Sequence, residues 1–127
     1  MKLRLQSNSI RFRLKQKEVR GLAEMGRVEE MVVIGGEWGG TFSYTLESSP
    51  NVETPEANLL KSGVVVRLPR EAVMKWAMGD DVGIEARIPV TGNKELHLII
   101  EKDFACLNGP PEQNIDTFPN PDAGKTC

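Results

Sequence analysis

Two cysteines, one histidine and one tyrosine are all that the 127 residues hold of those side chains. Cys106 and Cys127 are too few and too far apart for a disulfide framework or for the paired Cys-x-x-Cys of structural zinc sites. Set beside His97, Asp116 or Asp122 they fit no standard metal spacing, so no metal is expected. His97 has no acid or nucleophile paired with it by sequence and is expected on the surface. No nucleophile–base pair, metalloprotease pattern or dinucleotide fingerprint occurs. The glycines at 35, 36, 39 and 40 join two extended runs, unlike a phosphate loop, which joins a strand to a helix. These absences predict a non-catalytic protein with no catalytic residue and no cofactor. No apolar run is long enough to span a bilayer. Lys2 and Arg4 interrupt the start of the chain, which excludes the continuous apolar region of a signal peptide. A cytoplasmic protein with no membrane partner is the resulting expectation.

Positive charge is missing from one region altogether. Residues 28–56 contain Glu29, Glu30, Glu37, Glu47, Glu53 and Glu56 but no Lys or Arg. Residues 1–20 are the reverse: Lys2, Arg4, Arg11, Arg13, Lys15, Lys17 and Arg20 stand against Glu18 alone. The net charge of -2 thus hides a basic and an acidic edge.

What is present is a repeat. Displaced by 54 residues, segment 10–47 matches 64–101 without a gap. Arg13 meets Arg67, Leu14 meets Leu68, Val19 meets Val73, Ala23 meets Ala77, Val28 meets Val82, Ile34 meets Ile88 and Glu47 meets Glu101. Ile10, Phe12, Phe42, Tyr44 and Leu46 meet apolar residues in the same phase. Such internal similarity decides the fold and is read before single elements.

Each unit begins with alternating apolar residues, such as Leu3, Leu5, Ile10, Phe12 and Leu14, which predict a half-buried hairpin. Val19, Leu22 and Ala23 follow at helical spacing, with Gly26 placed to end the helix. Val28 to Ile34, the glycine turn, and Phe42, Tyr44 and Leu46 make a second hairpin. In the second unit the stretch SGVVVRLPREAV passes from β-branched strand to helix, since Pro69 tolerates a helix start. The remaining elements there are 70–78, 82–88 and 95–101. The plan is ββαββ (2–47), linker (48–56), ββαββ (57–101) and an irregular tail (103–127). Residues 1–102 form one duplicated domain in this reading, because a lone ββαββ unit cannot bury both faces of its hairpins. Its class is α+β, mainly β, with two pseudo-twofold halves closing a small barrel.

The hairpin with its Ser7-Asn8-Ser9 turn, the strands ending in Arg13-Leu14 and Arg67-Leu68-Pro69, and the Gly79-Asp80-Asp81-Val82 run resemble the AbrB/MazE (SpoVT-AbrB) swapped-hairpin family. The first copy departs from the pattern, with Lys15 where proline is usual. The resemblance implies a fused pseudo-dimer in a family of transcription factors and antitoxins. It implies DNA contacts from Arg4, Asn8, Arg11, Arg13 and Lys15 in the first copy and Arg67 in the second.

Alternation independently puts Lys2, Arg4, Arg11 and Arg13 on one outward face, a cationic ribbon able to neutralise phosphates. The second copy breaks the symmetry that palindromic recognition uses. Glu56, Asn58 and Val65 replace Lys2, Arg4 and Arg11, leaving Arg67 among uncharged neighbours. The functional expectation is therefore a small DNA-binding regulator or antitoxin-like protein, as monomeric pseudo-dimer or homodimer. The alternative is a protein-interaction module using the Trp38 turn or the tail. Trp76 is expected in the core, and Phe104, Leu107 and Phe118 are expected to dock the tail.

Overall fold

The computed structural model describes residues 1–37, 39–105 and 111–119. Ten regular elements precede a short 3-10 turn at Pro111–Asn114. In chain order they are β1 (Lys2–Gln6), β2 (Ser9–Leu14), α1 (Gln16–Met25), β3 (Arg27–Gly35), β4 (Gly40–Ser49), β5 (Glu56–Leu60), β6 (Gly63–Pro69), α2 (Arg70–Met78), β7 (Gly83–Pro89) and β8 (Glu95–Lys102). Pro69 is the last strand residue and caps α2, one position before the first turn.

The strands make two four-stranded sheets, ordered β1-β2-β8-β7 and β3-β4-β6-β5, and neither closes on itself. The class is α+β, dominated by strand. Each sheet joins the first hairpin of one repeat to the second hairpin of the other. The hairpins are antiparallel, and the central pairings, β2 with β8 and β4 with β6, are parallel. This exchange solves the burial problem of a short ββαββ unit: neither hairpin of a repeat packs without the other repeat.

Registers repeat at the 54-residue spacing. Leu3 faces Phe12 and Ala57 faces Val66; Phe12 faces Ile100 and Leu46 faces Val66. One element departs from it. Arg27 faces Glu47, whereas Gly83, not Asp81, faces Glu101. Ile84 therefore stands where Val28 does, and Ile88 where Val32 does, which corrects the gapless matching of Val28 with Val82 and Ile34 with Ile88. The cause lies at the helix ends. Gly26 ends α1 in the left-handed conformation, φ 79°, and its carbonyl at once accepts a bond from Ser48 N at 2.9 Å. After α2, residues 79–82 intervene. Lys102 N bonds Val82 O and Lys102 Nζ bonds Gly79 O, each at 3.0 Å.

The two hairpins differ accordingly. The β3–β4 ladder runs out to Gly35 opposite Gly40, while β4 meets β6 only from Ser43 onward. Its outer part is a two-stranded arm. The β7–β8 ladder stops at Pro89 opposite Glu95, close to the first β8–β2 pair at His97.

The core lies between the sheets and the helices. Phe12, Leu14, Leu22, Leu46, Val66, Leu68, Val73, Leu98 and Ile100 are fully buried, and Trp76 nearly so. Burying one such side chain stabilises by about 1.5–3 kcal/mol. Phe12 and Tyr44 meet across the sheets with ring centroids 6.4 Å apart. Gly63 lets β4 and β6 approach closely, since a Cβ there would lie 1.7 Å from Ser43 O. Leu5 has the inward phase expected of it but is 63% exposed. It lies at the end away from the helices, where the hairpin tips leave a cleft of about 320 Å³ between Leu5 and Leu59, Ile10 and Val64, and Phe42 and Leu96. The members of each pair are 54 residues apart, so the cleft straddles the pseudo-twofold relation.

The tail returns to the first helix. Gln16 N donates to Asp116 O and Lys17 N to Asp116 Oδ2, both at 2.9 Å. Lys15, the cap residue, cannot accept a hydrogen bond through its side chain, so Asp116 supplies that acceptor. Glu18 Oε1 accepts from Lys15 N at 2.9 Å and completes the cap. Phe104 and Phe118 pack at 6.1 Å, with Lys102 Nζ 5.3 Å over the Phe118 ring. Leu107 lies outside the described residues, as do Trp38, Cys106, Asp122 and Cys127.

Candidate nucleic-acid interface

Residues directly opposite across a sheet share a face. On the outer face of the β1-β2-β8-β7 sheet the rows are Lys2, Arg13, Glu101, Gly83; then Arg4, Arg11, Ile99, Glu85; then Gln6, Ser9, His97, Arg87. Pro89 and Glu95 close that face. Five cationic side chains (Lys2, Arg4, Arg11, Arg13, Arg87) stand against Glu85, Glu95 and Glu101. The other sheet presents Arg27, Glu47, Arg67, Glu56; then Glu29, Thr45, Val65, Asn58. There two cations stand against three carboxylates. The basic edge is thus one sheet face, and its counterpart is slightly acidic.

Within the ribbon, Lys2 lies opposite Arg13 and Arg4 opposite Arg11. Like charges directly opposite destabilise a strand pair. Counter-charges offset only part of this. Arg13 Nε donates to Glu101 Oε1 at 2.9 Å, and Arg11 Nε lies 3.5 Å from the same oxygen. Lys2 Nζ is 3.0 Å from Oδ2 of buried Asp103, an ion pair by distance rather than an aligned hydrogen bond. Arg4 is exposed and has no ion-pair partner among the described residues. Asn8, in the β1–β2 turn, donates through Nδ2 to Glu95 O at 2.6 Å. Lys15 lies at the cap of α1, off the ribbon.

Arg67 sits on the other sheet, and its neighbours are charged: Nε donates to Glu47 Oε1 at 3.0 Å, and Arg27 Nε is 3.4 Å from Glu47 Oε2. The two charged identities of the repeat are therefore one interaction made twice. Arg13 meets Glu101, and Arg67 meets Glu47, across the parallel strand pairs. Sequence pairing of Arg13 with Arg67 and Glu47 with Glu101 carried that signal, but only the hairpin exchange joins each arginine to the glutamate of the other copy. Asp103 and Asp116 gave no local signal. His97 Nε2 contacts Glu85 Oε1 on β7, an acid distant in sequence, and remains at the surface.

Two carboxylates from different elements, Glu30 on β3 and Glu18 on α1, converge on the inner side of the opposite sheet. The α-amino group of Met1 contacts Glu18 Oε2 and lies 3.1 Å from Glu30 Oε1, while Tyr44 donates its hydroxyl to Met1 O at 2.9 Å. Burial, then the Glu30 and Glu18 carboxylates, push the Tyr44 phenol above its ordinary pKa. Among the described residues no cluster of His, Cys, Asp or Glu is arranged to hold a metal, and no helix is long and apolar enough to cross a membrane.

No curated protein and no solved structure matches the chain. A family model matches residues 1–122, nearly the whole sequence, and by it the chain belongs to DUF7009, a family of unknown function.

Proposed function

We propose that the protein is a non-catalytic DNA-binding regulator, of the swapped-hairpin kind seen in AbrB/MazE proteins, that grips the phosphate backbone through the outer face of β1 and β2. The carrying observation is the pair of like-charged cross-strand contacts, Lys2 with Arg13 and Arg4 with Arg11, left short of counter-charge. A polyanion laid on the ribbon relieves that repulsion and releases counterions. The parallel exchange of hairpins between the repeats supports the architectural half of the reading. Glu56, Asn58 and Val65 on the other sheet make the binding one-sided.

Roles divide along the geometry. Lys2, Arg4 and Arg11 bind phosphates, Asn8 fixes the turn, and Arg13 and Arg67 mainly staple parallel strands. Salt-titrated binding to duplex DNA tests this. Arg4→Ala with Arg11→Ala should weaken binding and flatten its salt dependence by roughly 0.9 for each phosphate that is no longer neutralised. Arg67→Ala should leave binding unchanged. No binding by the wild type at about 50 mM salt, where phosphate binding is strong, rejects the reading.

A further inference from the structure

We infer that the outer edge of β3 is an interface with a second copy of this chain, paired antiparallel across a twofold axis. β3 is nine residues long, lies at the end of its sheet, and exposes Met31, Val32, Val33 and Ile34 consecutively, Val33 at 78%. A lone edge strand offers a row of unpaired N–H and C=O groups, and soluble proteins protect such rows. The other three edges here are protected. β1 is five residues long and carries Lys2 and Arg4, β5 is equally short, begins at Glu56 and is followed by Lys61, so that its exposed apolar stretch is Leu59 and Leu60 alone, and β7 bears Glu85 and Arg87 and ends at Pro89. The distal half of β3 has no charge and no proline. A bulge near Ile34 disturbs only its end, leaving the ladder regular as far as Val33.

The charge pattern selects the occupant. With Val32 on the axis, Met31 of one copy faces Val33 of the other, and Glu29 and Glu30 fall against Gly35 and Ile34. No like charges meet. Arg27, at the start of β3 and already beside Glu29 and Glu47 of its own sheet, comes to the Glu37 end of the other copy's hairpin, and the reverse holds as well. A parallel pairing would set Arg27 beside Arg27 and Glu30 beside Glu30. The antiparallel arrangement is isologous and closes as a dimer, because the far edge, β5, offers no comparable apolar strand. The result is a continuous eight-stranded sheet, β5-β6-β4-β3 joined to its copy.

Sedimentation of the full chain over a range of concentrations tests the inference. The wild type should show a concentration-dependent monomer–dimer equilibrium. Val33→Lys, on a side chain already exposed, should weaken dimerisation about tenfold or more, while an unchanged circular dichroism spectrum and melting curve show that the monomer is folded. Glu37→Arg should weaken the dimer, and adding Arg27→Glu should restore it, which reports the antiparallel register. Amide exchange at Met31 and Val33 should slow with protein concentration. A wild type that is monomeric throughout, a Val33→Lys protein that dimerises normally, or a charge swap without restoration overturns the proposal. The inference is independent of DNA binding, since β3 belongs to the other sheet.

Discussion

The outer faces of the two sheets share one register and differ in charge, while their inner faces are alike in being apolar. Lys2, Arg4 and Arg11 on one sheet correspond to Glu56, Asn58 and Val65 on the other. Inside, Phe12, Leu14 and Ile100 correspond to Val66, Leu68 and Leu46, all fully buried. Cavities and buried charge are costly in the core, whereas an exposed substitution away from special contacts is usually within about 0.5 kcal/mol. The halves are therefore constrained alike in the core and unconstrained outside it. The Arg13–Glu101 and Arg67–Glu47 pairs are the exception, and both lie where the parallel strands of different repeats meet.

The largest expected effect tests the shared core. Leu14→Ala and Leu68→Ala should each destabilise the whole chain by about 2–5 kcal/mol, since both side chains are fully buried and each leaves a cavity. Chemical denaturation should show one cooperative transition in both variants. Independent melting of the two repeats would break the comparison, because hairpin exchange leaves neither repeat a sheet of its own.

A smaller effect belongs to one half only. Tyr44→Phe removes the hydroxyl bond to Met1 O and should cost about 1 kcal/mol near neutral pH. The folded chain holds the Tyr44 proton more tightly than the unfolded chain, because its pKa is raised. That contribution is complete below the unfolded tyrosine value of about 10 and is lost as pH climbs through the raised folded value. The stability difference between wild type and Tyr44→Phe should accordingly shrink in alkaline melts. A constant difference would remove the phenol from the account.

The smallest effect sharpens the contrast between the outer faces. Glu101→Gln and Glu47→Gln should each change stability by no more than about 1 kcal/mol, as is usual for partly exposed ion pairs. Their effects on DNA binding should differ. Glu101→Gln frees Arg11 and Arg13 and should raise affinity, whereas Glu47→Gln on the other sheet should not. Equal changes in affinity would point to a symmetric binding mode.

Alternation and helical spacing showed nearly every strand and both helices. Val19 and Leu22, then Val73 and Trp76, are the buried stripes of α1 and α2. The slip between β3 and β7 stayed hidden for a specific reason. It is two residues long, the same as the side-chain period of a strand. Ile84, Ala86 and Ile88 therefore kept their face, while Val82 fell outside the strand, and no pattern of alternation can detect such a shift. Leu5 misled in a related way, since phase gives the direction of a side chain and not whether anything covers it. The cationic ribbon was legible as a face because its four charges alternate within two adjacent strands.

By itself the sequence determined the elements, their inward faces and the equivalence of the two repeats, because these depend on spacing within a few residues. Only the tertiary structure decided which hairpins pair, which arginines are neutralised and how α1 is capped. Those outcomes rest on pairs such as Arg13 with Glu101 and Lys17 with Asp116, 88 and 99 residues apart in the chain. Local propensity does not encode them. They follow from the need of each short repeat to bury its hairpins against the other.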